Sequence, residues 1–464
     1  MKIIAFCGSM RSHAGNRDII LRIAKESRDI DNYINRTTVE MNKGCRLCNS
    51  EIMAGAGLSG ANSIGAEIDY FPLIELFPEK DEKVFQLSSN SEVEQKSQID
   101  SLAVDKAKID LLLEKISESD GIYLATPVYF GDRSSVANKV LQIAGISNIL
   151  KDKIFGIASV GAKRNGGQET TNIFSMYEAL IQDAMVVGNG PPTSQYGGTA
   201  VSGKAGRVIE DHQGLSSSFD TGKKVAHVSD IYKRGGEIWS AAGEEKDVKI
   251  TVLVTMDTHG RMLRKYLSNL IGKVRKDLPW VEFEFIELID FIIYRCLGCN
   301  KCPVPTGRGD TDSENGFGCI IRDPDDAMEV IRKSMRQSDG ILVAGANIHV
   351  SQNIVFRYQV SMERMRFIRR NNYELTNISI ASLSYNQVGA TVNPIHSLKV
   401  QTSFVRHNTI IHRPVEILEH EGKIIKTGKN EMLRFCQNVR CLSVGRKKVK
   451  KLPSAYVAKG IGGY

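Results

Sequence analysis

No run of about 18 apolar residues occurs in the sequence, so no segment is expected to cross a bilayer as a helix. A secretory leader is not expected either, because an apolar strand already begins at Lys2. Charge of one sign is scarce. Lys plus Arg number 61 against 53 Asp plus Glu, a net charge of +8. That excess is small and dispersed: it argues against nucleic acid as a partner and is compatible with phosphate-bearing cofactors. The one concentrated run, Arg446, Lys447, Lys448, Lys450 and Lys451, reads as a solvated tail or as a contact for RNA or lipid. The loop after the first strand also lacks two nucleotide signatures, the GxGxxG pattern and the Gly-Lys-Ser/Thr end of a Walker loop. A cytoplasmic protein without a membrane or nucleic-acid partner is the expectation.

What is present begins at Lys2–Asn16, KIIAFCGSMRSHAGN. Ile3 to Cys7 reads as a buried strand, Gly8-Ser9 as a break, and Arg17 onward as an amphipathic helix. Strand, loop and helix form the first unit of a doubly wound α/β fold. Backbone N–H groups and a positive helix end then face one point, where an anion can sit. Ser9 adds a hydroxyl and Arg11 a forked cation. The alternative is an ordinary strand–helix turn.

At 464 residues the chain should hold two or three domains, and it contains a repeat. Ser117 to Phe130 (SESDGIYLATPVYF) parallels Arg336 to His349 (RQSDGILVAGANIH), and Ile154 to Gly167 parallels Asn377 to Ala390. Lys2 onward parallels Lys249 onward, and Cys45 and Cys48 align with Cys296 and Cys299. Two tandem α/β domains with parallel sheets are expected: residues 1–240 and 247–428, followed by a tail over 430–464. Strands are placed at Lys2–Cys7, Thr37–Met41, Gly121–Ala125, Ile154–Val160 and Met185–Val187, with an excursion or lid over about 50–101.

Three loops of the first half follow carboxyl ends of strands and should converge. They are the opening loop, Thr126-Pro127-Val128-Tyr129-Phe130-Gly131, and Gly161 to Glu169, which contains Gly166-Gly167-Gln168. The second offers an aromatic pair beside extended backbone and suits a flat ring. The third is glycine-rich and permits close approach to a ring edge. Together they suggest a phosphorylated flat cofactor.

These motifs, with Gly166-Gly167-Gln168-Glu169-Thr170-Thr171 and a closing stretch at Glu210 to Val225, resemble the NADPH-dependent FMN reductase and iron–sulfur flavoprotein family. The resemblance implies a flavodoxin-like fold and FMN as cofactor. It implies that Ser9, Arg11 and Asn16 hold the FMN phosphate. Thr126, Pro127, Val128, Tyr129, Phe130 and Gly131 would line the ring, and Gly161, Gly166, Gly167, Gln168 and Glu169 would close over its edge.

The second half has Thr255-Met256 in place of Gly8-Ser9, and Gly345-Ala346-Asn347-Ile348-His349 in place of the ring motif, so it is read as having lost its own FMN. His349 is either an acid–base group or a satisfied loop histidine. Of the nine cysteines, Cys296, Cys299 and Cys302 form C-x2-C-x2-C, with Cys319 further on. That spacing suits three corners of a [4Fe–4S] cluster closed by a distant fourth ligand. Zinc is the alternative, and unconnected free thiols a third. The family resemblance points to iron–sulfur. Cys45 and Cys48 lack a third partner, since Glu51 stands where Cys302 does, and read as a relic or a redox pair. The reading is an FMN-dependent oxidoreductase or electron-transfer protein. NAD(P)H or a ferredoxin-like protein would be the donor and the acceptor is unidentified. The two halves would pair like the subunits of a dimeric relative, and a further homodimer is open. The alternatives are a quinone or FMN reductase without a cluster, and a non-enzymatic flavin-binding module with structural zinc.

Overall fold

The computed structural model describes residues 1–76, 106–242, 248–257, 261–302, 304–305, 317–347, 352–387 and 395–452. Its chain divides into two compact units, Met1–Gln182 with Gly197–His227, and Asp183–Tyr196 with Val228–Tyr464.

The first unit runs β1 (Lys2–Cys7), α1 (Arg17–Glu26), α2 (Ile30–Asn42), α3 (Asn49–Asn62), β2 (Glu67–Pro72), α4 (Lys106–Glu118), β3 (Gly121–Tyr129), β4 (Asp132–Arg133), α5 (Ser135–Ile146), β5 (Ile154–Gly161) and α6 (Gln168–Ile181). β6 (Met185–Val186) belongs to the second unit, and β7 (Gly198–Val201) and the first part of α7 (His212–Ala242) complete the first. The parallel strands stand in the order β2-β1-β3-β5-β7. Numbered along the chain this is 2-1-3-4-5, the flavodoxin-like doubly wound order. Ile3, Ile4, Ala5 and Cys7 are all fully buried, as expected of a central strand covered on both faces.

Two expectations need correction here. Residues 37–41 are not a strand but the end of α2, which Asp29 caps by accepting from Asn32 N (2.8 Å) and which buries Tyr33 and Thr37 one turn apart. The second strand is β2. The excursion expected over about 50–101 does not begin at Ser50, because residues 49–62 form α3, buried against β1, β3 and β5. The small residues of α3 reflect close packing rather than a loose loop. A Cβ on Gly60 would lie 1.9 Å from the Phe219 carbonyl oxygen, and one on Gly57 would lie 2.4 Å from the Tyr123 ring. Residues 77–101 lie outside the described residues.

The second unit contains β8 (Val248–Met256), α8 (Met262–Asp277), β9 (Val281–Glu287), β10 (Val304–Pro305), β11 (Phe317–Gly318), α9 (Met328–Gln337), β12 (Gly340–Asn347), α10 (Gln352–Arg364) and α11 (Arg366–Arg370). It continues with β13 (Ser379–Gln387), α12 (Ile395–Val405), β14 (Ile410–Ile411), β15 (Val415–His420), β16 (Lys423–Lys426) and α13 (Lys429–Arg446). Its parallel strands stand β9-β8-β12-β13, with β14 and β15 both on the far side of β13. This is again 2-1-3-4-5. The tail expected over 430–464 starts helical, as the sequence suggests, but residues 429–446 belong to this core: Met432, Phe435, Cys436 and Val439 pack with Val252, Leu342 and Leu383.

The repeated Ser-Asp-Gly has one structural task in both units. Asp120 accepts from Lys2 N (2.7 Å) and its own amide donates to the Lys2 carbonyl (2.8 Å). Asp339 does the same with Lys249, at 3.1 and 2.8 Å. Each aspartate ties the start of the third strand to that of the first. The cysteine alignment does not hold in the topology. Cys45 and Cys48 precede the second strand of their unit, whereas Cys296 follows the second strand of its own.

Candidate functional site

In the first unit the opening loop leaves β1 at Gly8, whose N–H donates to the Ala125 carbonyl (2.8 Å). A side chain there would put its Cβ 2.7 Å from that of Ala137. Ser134, the cap of α5, donates from its hydroxyl to the Gly8 carbonyl and accepts from Ala137 N (3.2 Å), locking the loop to the helix that follows the ring motif. Ser9 is buried, and its Oγ accepts from Arg11 N (3.1 Å). Arg11 is exposed and makes no ion pair among the described residues. Asn16 turns its side chain toward the start of α3. Its amide nitrogen donates to the Arg46 carbonyl (2.9 Å) and to Glu51 (3.1 Å).

Glu51 is the residue that the sequence reading missed. Its buried carboxylate accepts from His13 N (2.9 Å), Asn16 and Cys48 N (2.7 Å), and so ties the opening loop to the first turn of α3. The signal was available: a glutamate at the third position of a helix reaching back to the cap residue is one half of a capping box. Cys48 is that cap and is buried beside Cys7, not Cys45. Burial pushes the Cys7 thiol well up, and the bond to Cys48 adds to it. Such thiols are unreactive at neutral pH.

The ring motif is longer as a strand than expected. β3 runs on through Thr126–Tyr129 and turns back at Phe130-Gly131 into β4, with Val128 opposite Arg133 and Tyr129 opposite Asp132. Both turn residues have positive φ, +51° and +80°, as a two-residue hairpin of this hand requires. Gly131 adopts this freely, whereas phenylalanine is an unusual choice. Phe130 is also fully exposed, and Tyr129 and Met10 are more than half exposed. Arg133 anchors the hairpin by donating to Asn138 of α5 (2.5 Å) and to Glu178 of α6.

The third loop meets the second at Gly167, which has φ +101° and where a Cβ would lie 2.7 Å from Gly131 Cα. Gln168 spends its side chain inside the loop. It accepts from Gly166 N (2.8 Å) and donates to the carbonyls of Lys163 (2.8 Å) and Ala200 (3.1 Å). It therefore shapes the loop from behind, with Gly161 packed on its amide. Glu169 is exposed in the first turn of α6. A cavity of about 550 Å³, lined by Lys2, Arg17, Glu67 and Asp69, opens at the amino ends of β1 and β2, opposite these loops.

In the second unit the position equivalent to the opening loop is filled from within. The buried Asp257 carboxylate accepts from Leu263 N (2.8 Å) and Arg264 N (2.7 Å), satisfying the start of α8. By contrast, no side chain caps α1. Residues 348–349, including His349, lie outside the described residues.

The cysteine motif lies between β9 and α9. Gly298 and Asn300 have positive φ, +62° and +55°, which coils the backbone around the three cysteines, and Gly298 N donates to Cys296 Sγ (3.5 Å). β10 and β11 pair antiparallel, Val304 with Gly318, which returns the chain so that Cys319 comes back beside Cys302. Burial pushes the Cys302 thiol up, and Cys319, Cys299 and Cys296 push it further, so all four lie within electrostatic reach. Among the described residues no three potential ligands converge closely enough to hold a metal ion as they stand. No described helix is long and apolar enough to cross a membrane.

A 2-1-3-4-5 parallel sheet with three loops following the carboxyl ends of its strands defines a flavodoxin-like domain. The family model of the NADPH-dependent FMN reductases matches residues 1–195, and the chain belongs to this family of FMN-dependent oxidoreductases. It is 40% identical over 131 residues to an iron–sulfur flavoprotein of Methanocaldococcus jannaschii, covering 27% of this chain and 67% of that protein. An iron–sulfur flavoprotein of Methanosarcina thermophila is 30% identical over 131 residues, covering 27% and 64%. An NAD(P)H dehydrogenase (quinone) of Rhodopseudomonas palustris is 27% identical over 195 residues, covering 39% and 90%. The matches thus span about two thirds of the two iron–sulfur flavoproteins' length.

Proposed function

We propose that the chain is an electron-transfer flavoprotein that binds one FMN, in its first unit, and holds a [4Fe–4S] cluster on Cys296, Cys299, Cys302 and Cys319 of its second. NAD(P)H or a ferredoxin-like protein is the donor, and a small molecule or redox protein the acceptor. The observation that carries the assignment of FMN to the first unit is the contrast between the two helix starts. α8 has its first amides taken by the Asp257 carboxylate, while no side chain caps α1, which follows the loop that carries Ser9 and Arg11. A helix start without a carboxylate cap is the more favourable of the two for an anion. The cysteine motif supports an inorganic group because its C-x2-C-x2-C run is coiled at Gly298 and Asn300 and the β10–β11 pair returns Cys319 beside Cys302. When bound, a flavin links two-electron to one-electron carriers. The chain's own part is to grip the phosphate with Ser9 and Arg11, to face the ring with Tyr129 and Phe130, and to hold both loops in register through Gly131, Gly167 and Gln168.

Arg11→Ala should weaken FMN by roughly 1.5–3 kcal/mol, the worth of a charge-assisted hydrogen bond, read by fluorescence titration of the FMN-free protein. Unchanged affinity would remove Arg11 from the phosphate site. Phe130→Asn separates function from stability. Asparagine tolerates a positive φ that costs a bulky residue roughly 1–2 kcal/mol, so the variant should melt later yet bind FMN more weakly. A variant that is more stable and binds FMN as tightly as the parent would show that Phe130 does not serve the ring.

A further inference from the structure

In the second unit one buried ion pair holds the cysteine segment at both ends. Arg364 ends α10 and Asp326 stands just before α9, and their side chains are 1% and 5% exposed. The Arg364 guanidinium donates to both Asp326 oxygens, at 3.0 and 2.6 Å. The pair then grips the backbone of one residue from both sides. Arg364 donates to the Tyr294 carbonyl (2.8 Å), and Asp326 accepts from Tyr294 N (3.0 Å). Ala327 N adds a bond to the Ile292 carbonyl (2.9 Å). Tyr294 precedes Cys296 and Asp326 follows Cys319, so this knot closes the loop that carries the four cysteines. Joining the ends of a loop removes conformational freedom that a bound group would otherwise have to remove.

The middle of the loop is reached from α11. Arg366, its first residue, donates to the Asn300 side-chain oxygen (2.8 Å), between Cys299 and Cys302. Asn300 is one of the two left-handed residues that coil the motif. Arg370 stands one helical turn further on. The Cys302 thiol is pushed up by burial and by the other three cysteines and is drawn back by Arg370, which therefore lies within electrostatic reach of it. Arg366 and Arg370 are half-buried and make no ion pair among the described residues, so their charges are uncommitted. The matching helix of the first unit, α5, carries no arginine. The donors fit an iron–sulfur group, with thiolate sulfur as ligand and uncommitted cations beside it. Four thiolates around a [4Fe–4S] core leave a net negative charge, which grows when the cluster takes up one electron. Adjacent cations favour the more negative form and so raise the reduction potential.

We infer that Arg366 is a positioning residue that holds the cysteine loop in its coiled form through Asn300, and that Arg366 and Arg370 together raise the reduction potential of the cluster bound there. The effect on potential rests on the reading of the four cysteines as a [4Fe–4S] site; the positioning does not. The variants are Arg366→Met, the double variant Arg366→Met/Arg370→Met, and the double variant Arg366→Lys/Arg370→Lys. They leave the buried Arg364, whose loss would threaten the fold, in place. The first measurement is hydrogen exchange in protein freed of iron by chelation. Arg366→Met should speed exchange of the amides at 297–301 about tenfold, the effect of one lost charge-assisted hydrogen bond, while the amides of β12 exchange as in the parent. The second is an EPR-monitored redox titration of anaerobically purified protein, with its iron content. The double methionine variant should keep parental iron but have a more negative potential than the parent, and the double lysine variant should return to the parental value. A purely structural role would leave the potential unmoved. Parental exchange in Arg366→Met would overturn the positioning, and a parental potential in the double methionine variant would overturn the effect of charge. A parent without iron would sink the cluster reading and the effect on potential with it, while exchange would still decide the positioning.

Discussion

Replacing Cys299 by serine is expected to empty the second unit of iron and sulfide while leaving one FMN per chain. Cys299 is the middle residue of a motif whose backbone is coiled for wrapping, with left-handed Gly298 and Asn300 on either side of it. Removing the central ligand takes away one of three adjacent corners, and serine is too hard and too basic a ligand to replace a thiolate for iron–sulfur. No residue of the first unit's loops touches this segment's role, so the flavin spectrum should persist. Iron and acid-labile sulfide analysis after anaerobic purification reads the outcome. A variant that keeps parental iron would show that Cys299 is not a ligand. A variant that transfers electrons to a one-electron acceptor at the parental rate would make the site structural.

Acidification is expected to unfold the second unit between about pH 6 and pH 4. Three of its histidines are held neutral by burial: His396, lowered to about 4, His407 to about 3, and His412 to about 3. Arg369 and Arg406 also depress His407, and Arg434 depresses His412. In the unfolded chain each would titrate near 6.5. The unfolded state therefore binds more protons than the folded one throughout this window, and stability falls as pH falls. At pH 5 the loss is roughly 2 kcal/mol per histidine and about 6 kcal/mol together, comparable with the whole stability of a domain. The two tryptophans, Trp239 and Trp280, stack edge to face at 6.4 Å, and both belong to the second unit, so their emission reports on it alone. Their emission should shift to the red with a midpoint in that range. Emission unchanged down to pH 4 would mean that these histidines are protonated in the fold. Substituting His407 and His412 by glutamine should move the midpoint downward.

Where the sequence was informative, the reason was chemical. β1 was legible to the residue because Ile3–Cys7 is a continuous apolar run ended by Gly8. The Ser-Asp-Gly repeat marked β3 and β12 because each aspartate has to tie its own strand to the first of its unit. α3 was misread because its glycines look like a loop, whereas they are small to let Tyr33, Tyr123 and Phe219 approach. The helical tail over 429–446 was set apart although its apolar face closes the second core. In the opening loop the Ser9 hydroxyl accepts from Arg11 N, and in the first and third loops Asn16 and Gln168 turn their side chains into the scaffold. Only half of the role of Glu51 was legible: its bond to Cys48 N follows the capping-box spacing, whereas its bonds to His13 N and Asn16 join residues distant in sequence, which no spacing rule reports.

The central claim is that the two units are functionally divided, one for flavin and the other for an inorganic cluster. The most direct measurement is the content of FMN, iron, sulfide and zinc per chain in anaerobically purified protein. The account predicts one FMN, four iron and four sulfide, with no zinc. Two FMN per chain, or one zinc without sulfide, would contradict it.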